Sequence, residues 1–292
     1  MRYLALQHQT SAMAKTGQLF IVATPIGNLS DITHRAIEVL NTVDIIAAED
    51  TRHSGRLLQH YGINTRLIAL HEHNETQKKA WVIEQLKTGL DIALISDAGT
   101  PLISDPGFPL VNSCRESGLV VTPVPGACAV VAALCASGLP TDAFQFCGFL
   151  PVKTLAKENA LNAIQDTRKT SIFYEAPRRI RDTLATIARC LQAERQIVVA
   201  KELTKSFEQF FKGTAQQALQ WLDEEPQREK GEFVLLIGPA EQNDSGIPPE
   251  AVKLLSSLTP LMPGKKAAAL VAEHYQLKKN ELYKLTLDLK SD

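Results

Sequence analysis

The stretch with the clearest chemical potential is SDAGTPLISDPG, residues 96–107, which directly follows an apolar run at residues 92–95. A buried strand that ends in Gly, Asp and Pro can present backbone amides and a carboxylate to a ligand at the edge of an α/β sheet. The same residue types also build ordinary turns, so the alternative is a pair of structural loops. We interpret the segment as one wall of a ligand site that includes Asp97.

Polar residues also follow the other apolar runs of the first half. Glu49 and Asp50 come after the second run, and His71 comes after the third. His71 and His73 form an H-x-H pair of a kind that can ligate a metal, but no third ligand set stands out. Polar loop residues explain this pair equally well, and we predict no metal site.

A cluster of basic residues lies in the second half of the chain. Its members are Arg168, Lys169, Arg178, Arg179 and Arg181. The last three stand where a helix is predicted to begin, an end whose dipole favours anions rather than cations. Arginines placed against that preference predict a polyanionic partner such as a phosphate backbone, and a solvated helix face is the alternative.

The elements that must position these residues alternate between strand and helix in the first half. Apolar runs predict five strands, at residues 18–23, 44–48, 66–70, 92–95 and 119–123. Helical patterns follow the first and third runs, and a helix of small residues follows PVPGA at residues 123–127. This alternation predicts a mostly parallel sheet with helices on both faces, whose ligand-binding loops lie at the carboxyl ends of the strands.

The second half predicts a mixed sheet, because its strands are separated by fewer helices. These strands are expected at residues 144–149, 170–174, 196–201, 209–212 and 233–237. We therefore divide the chain into a flexible leader (1–16), an N-terminal α/β domain (17–124), a C-terminal α/β domain (125–240), a linker (241–250) and a small basic helical module resembling a helix-turn-helix (251–292).

Composition limits the class of protein. The 292 residues carry a formal net charge of −1, so a nucleic-acid site would have to be a local patch. The five cysteines form no C-x-x-C pair and mostly sit in apolar surroundings, which predicts buried, reduced thiols in a cytoplasmic protein. The first strand is not followed by G-x-G-x-x-G, and neither a complete P-loop nor a G-x-S-x-G elbow is present. Membrane association is not expected.

Five motifs occur in order between about Gly17 and Pro239: TPIGN, SDAGTPLISDPG, PVPGACAVVAALCASGLP, FYEAPRRI and GEFVLLIGP. Together they resemble the tetrapyrrole methylase superfamily. That resemblance implies an S-adenosylmethionine-dependent methyltransferase with two α/β domains and the cofactor in the cleft between them. Each motif alone is weakly specific, whereas five in sequence order are highly specific.

Longer segments resemble the branch of this superfamily that methylates ribosomal RNA: ATPIGNLSDIT, AAEDTRHS, HEHN and YEAPRR. Relatives that act on corrinoids usually carry Gly-Asp-Pro where this chain has Ser96-Asp97-Ala98, and this difference disfavours a tetrapyrrole substrate. The resemblance implies 2′-O-methylation of a cytidine ribose in the decoding region of 16S rRNA. The substrate would sit within the small ribosomal subunit, and the enzyme would be a homodimer.

The resemblance also implies which residues hold the cofactor. These are Pro25, Gly27, Ser96, Asp97, Ala98, Gly99, Pro125, Gly126, Ala127, Tyr174 and Glu175. For a ribose hydroxyl acceptor, we name Glu49, Asp50, His71 and Glu175 as candidate proton acceptors, with catalysis by positioning alone as the alternative. Two other functions stay open: methylation of a tetrapyrrole or other small molecule, and non-catalytic binding to RNA or the ribosome.

Overall fold

The structure is a computed structural model that describes residues 16–71, 74–240 and 247–288. Three sequence predictions fall wholly or partly outside the described residues. They concern residues 1–15 of the predicted leader, His73, and residues 241–246 of the predicted linker. Among the described residues, no helix is long and apolar enough to cross a membrane.

The first half forms a five-stranded parallel sheet, as the alternation of strands and helices predicts. Its strands are β1 (Gln18–Val22), β2 (Ile45–Ala48), β3 (Arg66–Ala69), β4 (Ile92–Ile95) and β5 (Val120–Val124), in the spatial order β3-β2-β4-β1-β5. The central strands β2 and β4 are buried at every position, which explains why their sequences are unbroken apolar runs.

Helices cover both faces of this sheet. They are α1 (His34–Thr42), α2 (Thr51–His60), α3 (Glu75–Lys87) and α4 (Phe108–Glu116). Leu40 of α1 and Leu58 of α2 pack on one face, whereas Leu86 of α3 and Leu110 of α4 pack on the other. The sequence analysis predicts neither α2 nor α4, because both are short and largely polar on their outer faces.

The second half forms a mixed five-stranded sheet, which confirms the expected topology. Its elements are α5 (Ala129–Ala136), β6 (Phe144–Phe149), α6 (Thr154–Asn162), β7 (Thr170–Glu175), α7 (Ile180–Cys190), β8 (Ile197–Lys201), β9 (Gln209–Gly213), α8 (Ala215–Glu224) and β10 (Phe233–Ile237). The strand order is β6-β7-β10-β8-β9, and β6 and β7 are its parallel pair. Helix α5 packs on one face of this sheet, and α6, α7 and α8 cover the other.

Three helices complete the described chain: α9 (Pro249–Leu258), α10 (Gly264–Tyr275) and α11 (Lys279–Asp288). They share a small apolar core that includes Leu255, Val271 and Leu282. The five cysteines are free thiols. The prediction that they are mostly buried is wrong for Cys135 and Cys147, whose side chains are exposed.

Candidate active site

Two loops, one from each half of the chain, are in contact. The first is the turn after β1, and the second is the turn at residues 202–205 after β8. A Cβ atom on Gly27 would lie 2.9 Å from Oγ1 of Thr204 and 3.1 Å from the carbonyl oxygen of Leu203. The backbone amide of Asn28 donates a hydrogen bond of 3.1 Å to the same Thr204 hydroxyl. Glycine at position 27 therefore permits the contact between the two sheets.

A cavity of about 380 Å³ opens beside this contact. We call it the first cavity. The first sheet contributes the loop after β4, and the second sheet contributes the ends of β7 and β10 together with the turn after β8. Its lining includes Gly99, Thr100, Asp105, Tyr174, Leu203 and Val234.

The loop after β4 is held in place by backbone hydrogen bonds to the first turn. The amide of Thr24 donates to the carbonyl of Gly99 at 2.8 Å, and the amide of Gly99 donates to the carbonyl of Thr24 at 3.0 Å. Gly99 has a φ of +80°, a region that glycine adopts readily. The Thr100 hydroxyl donates a 3.0 Å hydrogen bond to the carbonyl of Ala127, which ties this loop to the one after β5. These bonds fix one wall of the first cavity.

The polar groups of the first cavity have perturbed acidities. Burial raises the pKa of the Asp105 carboxyl; a hydrogen bond with Ser96 opposes this rise, and the charge of Asp97 adds to it. Burial, with smaller contributions from Cys128 and Asp105, raises the pKa of Tyr174 to about 12. Tyr174 therefore stays neutral near pH 7 and offers an aromatic surface.

A second cavity, of about 320 Å³, lies on the other side of the loop after β4. Its lining includes Pro25, Gly27, His53, Arg56, Asp97 and Lys205. The two cavities share Ile26, Ala98 and Glu232 in their walls, so they adjoin one another. A group bound in one cavity can thus approach a group bound in the other across a wall of few side chains.

Lys205 lines the second cavity and forms two ion pairs there. Its ammonium group contacts carboxylate oxygens of Glu202 at 2.9 Å and of Glu232 at 2.8 Å. Burial alone would lower the pKa of Lys205, but the hydrogen bonds to Glu232 and Glu202 outweigh it, and the net effect is a raised pKa. Lys205 is therefore charged, and its charge is compensated by two carboxylates.

Two of the predicted proton acceptors have structural partners. The Asp50 carboxylate caps α2 and pairs with Arg52 at 3.0 Å, and these hydrogen bonds lower its pKa to about 2. The Glu175 side chain is fully buried, accepts a 2.8 Å hydrogen bond from the Thr183 hydroxyl and pairs with Arg179 at 3.1 Å. Both carboxylates are consequently weak candidates for accepting a proton.

The other two candidates, Glu49 and His71, are partly buried at the ends of β2 and β3. The side-chain nitrogen of Asn74 lies 3.1 Å from Nε2 of His71, and Oδ1 of Asn74 accepts a hydrogen bond of 3.0 Å from the His71 backbone amide. Neither residue lines one of the two cavities. Among the described residues, no group of three or more His, Cys, Asp or Glu could hold a metal ion.

The structure divides the residues predicted to hold a cofactor. Ala98, Gly99, Tyr174 and Glu175 line the first cavity, whereas Pro25, Gly27, Asp97 and again Ala98 line the second. Ser96 and Ala127 line neither cavity, but each is hydrogen-bonded to a residue that does. The Ser96 hydroxyl donates to the Ala98 carbonyl, and the Ala127 carbonyl accepts from the Thr100 hydroxyl. Pro125 and Gly126 are exposed and line neither cavity. A Cβ on Gly126 would lie 2.9 Å from that of Ala23, so this glycine allows close packing of the loops.

The predicted basic cluster is dispersed in the structure. Arg179 is largely buried and also donates to the carbonyl of Leu150. Arg181 pairs with Asp223 at 2.8 Å and Glu229 at 2.6 Å. Arg178 is exposed. Arg168 and Lys169 are also exposed, but they precede β7 and lie about 20 Å from its carboxyl end by the rise of a six-residue strand.

The sequence analysis did not identify several residues that line the cavities. Asp105 lies within the acidic loop but was not singled out. Lys205 belongs to KELTK, a charged segment directly after a buried strand, and strand-end position was the signal that could have found it. His53 and Arg56 lie on α2, and recognising this helix was necessary to place them beside the loop after β4.

The structure thus combines two five-stranded sheets with two adjoining, ligand-sized cavities between their loops. The sequence profile described as Tetrapyrrole (Corrin/Porphyrin) Methylases matches residues 18–219, and the chain belongs to this family. A second profile, described as RsmI C-terminal HTH domain, matches residues 245–290, which include α9, α10 and α11.

The sequence is also similar to individual curated proteins. It is 54% identical to Ribosomal RNA small subunit methyltransferase I of Pasteurella multocida, with 94% of this chain and 98% of the relative covered. It is 51% identical to the protein of the same name from Escherichia coli O157:H7, with 97% and 98% covered.

Solved structures share the fold at low sequence identity. The methyltransferase CobJ aligns with a TM-score of 0.58 at 17% identity, over 77% of this chain and 95% of that one. Diphthine synthase aligns with a TM-score of 0.57 at 12% identity, over 76% and 90%. At these identities the likeness supports the two-sheet architecture.

Proposed function

We propose that this protein is an S-adenosylmethionine-dependent methyltransferase that modifies small-subunit ribosomal RNA. The observation that carries the proposal is the pair of adjoining cavities, because a transferase must hold a donor and an acceptor in contact. The names of relatives that are more than half identical to this chain supply the substrate class.

The first cavity fits the cofactor by its size and its chemistry. Its volume of about 380 Å³ lies in the range of small-molecule sites. Gly99 lines the wall without a side chain, and the carboxylate of Asp105 suits a positively charged ligand. The rings of Tyr174 and Phe149, whose centroids are 5.7 Å apart, offer faces for a purine or a cation. We assign the cofactor to this cavity.

The cofactor supplies a methyl group that is already activated by a positively charged sulfur. The protein's task is therefore to align an acceptor oxygen and to exclude water. We propose that the second cavity receives the acceptor and that Ala98 lies between the two reactants. Asp97 lines the second cavity, and its Oδ1 accepts a hydrogen bond from the Asp50 amide at 3.0 Å. We propose that this carboxylate takes the proton of the acceptor hydroxyl.

The finer assignments rest on motif resemblance. We propose that the acceptor is the 2′-oxygen of a cytidine in the decoding region, presented within the small ribosomal subunit. We also propose a cytoplasmic homodimer whose chain divides into domains 17–124 and 125–240, a linker 241–250 and the helical module 251–292. The sequence profile of a helix-turn-helix over residues 245–290 supports the last of these units.

The test is methyl transfer to small ribosomal subunits isolated from cells that lack the enzyme. The subunits are incubated with the protein and radiolabelled S-adenosylmethionine, and the RNA is digested to nucleosides. The proposal expects label on the ribose of one cytidine. Label on a base would overturn the ribose assignment. Binding of the cofactor without any transfer to RNA, but with transfer to a tetrapyrrole, would overturn the substrate class.

A further inference from the structure

Helix α2 presents a basic face to the second cavity. Ser54 and Leu58 anchor the helix in the core, and the side chains of Arg52, His53 and Arg56 point away from it and are exposed. Arg52 is paired with Asp50. Within the described part of the chain, the side chains of His53 and Arg56 form no ion pair or hydrogen bond, and both line the second cavity.

Among the described residues, the other charged groups named here around the second cavity are one ammonium group and three carboxylates. Lys205 is compensated by Glu202 and Glu232, and Asp97 adds a negative charge at the wall. Among the described lining residues, Arg56 is the cation without a carboxylate partner. An uncompensated guanidinium at the rim of a cavity is a site for an anion, because its planar donors match a phosphate or carboxylate.

The structure of RNA identifies the anion that would lie beside Arg56. In RNA, the carbon next to the one that bears the 2′-oxygen carries the 3′-phosphodiester. A cavity that receives a 2′-hydroxyl must therefore also accommodate a phosphate within a few ångströms of it. Phosphate contacts fix the register of a nucleic acid without reading its sequence.

We propose that His53 and Arg56 bind the phosphodiester that adjoins the acceptor ribose and thereby hold the 2′-oxygen in the second cavity. This inference rests on the proposed function. It assigns the RNA contact nearest to the reaction to α2, rather than to the predicted cluster around residues 168–181. In that cluster, Arg179 and Arg181 already have carboxylate partners.

The experiment compares Arg56→Gln, Arg56→Lys and the control Arg66→Gln with the unmodified protein. Arg66 is a matched control because it is also exposed and without an ion pair in the described chain, yet begins the parallel strand β3, at the edge of the sheet opposite to the loops that line the cavities. Methylation of unmethylated small subunits is measured over a range of KCl concentrations. Binding of S-adenosylmethionine is measured by calorimetry on the same samples.

For Arg56→Gln, we expect a KM for the subunits raised roughly tenfold at low salt, as for a lost charge-assisted hydrogen bond. The salt dependence of log KM should weaken by about one phosphate contact, 0.7 to 0.9 in slope. Arg56→Lys should recover part of the loss, and cofactor affinity should not change. Arg66→Gln should match the unmodified protein.

An unchanged KM and salt slope in Arg56→Gln would overturn the inference, as would an equal effect of Arg66→Gln. These results differ from failure of the proposed function, in which the unmodified protein itself transfers no label to RNA. A loss of cofactor affinity in Arg56→Gln would also count against it, because that result would place Arg56 in the cofactor site.

Discussion

Replacing Gly27 with alanine tests the contact between the two sheets. The added Cβ would lie 2.6 Å from Cγ of Lys205, 2.9 Å from Oγ1 of Thr204 and 3.1 Å from the Leu203 carbonyl. The Lys205 side chain can move, but the Leu203 carbonyl belongs to the backbone of a turn that lines the first cavity. The alanine therefore pushes the turn after β8 away from the turn after β1.

The size of the effect follows from two costs. Overpacking of one methyl group typically costs about 1–3 kcal/mol. Separation of the turns also breaks the hydrogen bond from Asn28 to Thr204, which is worth about 0.5–1.5 kcal/mol. We expect the free energy of unfolding to fall by about 1.5–4.5 kcal/mol. A cost of about 1.4 kcal/mol to the arrangement of the first cavity that binds the cofactor lowers cofactor affinity about tenfold.

Urea unfolding gives the first quantity, and calorimetry with S-adenosylmethionine gives the second. Gly55→Ala is the matched control, because a Cβ at this position in α2 meets no atom within 4 Å. The control should be about 0.5–1 kcal/mol more stable than the unmodified protein, since alanine favours a helix over glycine. If Gly27→Ala kept full stability and full cofactor affinity, the reasoning about the two turns would be refuted.

Three further predictions concern the carboxylates of the site. Burial raises the pKa of Asp105, and a cationic ligand favours its charged form, so cofactor affinity should fall as the pH is lowered through that raised pKa. Calorimetry should show a flatter pH dependence of cofactor affinity for Asp105→Asn. A pH dependence identical to that of the unmodified protein would exclude Asp105 as a contact of the cofactor. Asp97→Asn should lower turnover about a hundredfold with little change in cofactor affinity; a loss confined to affinity would restore the original expectation that Asp97 holds the cofactor. Glu175→Gln should cost about 3 kcal/mol in urea unfolding, because Arg179 stays buried without its partner; a loss below about 1 kcal/mol would argue against a structural role.

The strands could be predicted from the sequence because a strand buried on both faces appears as an unbroken run of apolar residues. Phe233–Ile237 is one unbroken apolar run, and the structure places all five residues in the buried strand β10. Helix α2 was missed because its sequence, TRHSGRLLQH, contains a glycine and buries only Ser54 and Leu58. Such a helix is specified by its Asp50 cap and by packing on a sheet, and neither shows in the periodicity.

The site was harder to predict than the fold, because partners come from distant parts of the chain. Strand-end position drew attention to the loop after β4, where residues 98–100 and 103–105 line the first cavity and residues 97–98 line the second. Nothing local to Arg181 indicates that Asp223 and Glu229 pair with it in the folded protein. Residue type alone could not separate the paired arginines of the predicted cluster from Arg56.

The central claim is that the first cavity binds the cofactor and the second cavity binds the acceptor. One crystal structure tests this claim directly. Crystals grown with the demethylated cofactor product should show it in the first cavity, against Gly99, Tyr174 and Val234, with its sulfur directed towards Ala98. The second cavity, beside His53 and Arg56, should stay open to the acceptor. Density for the product in the second cavity would contradict the account.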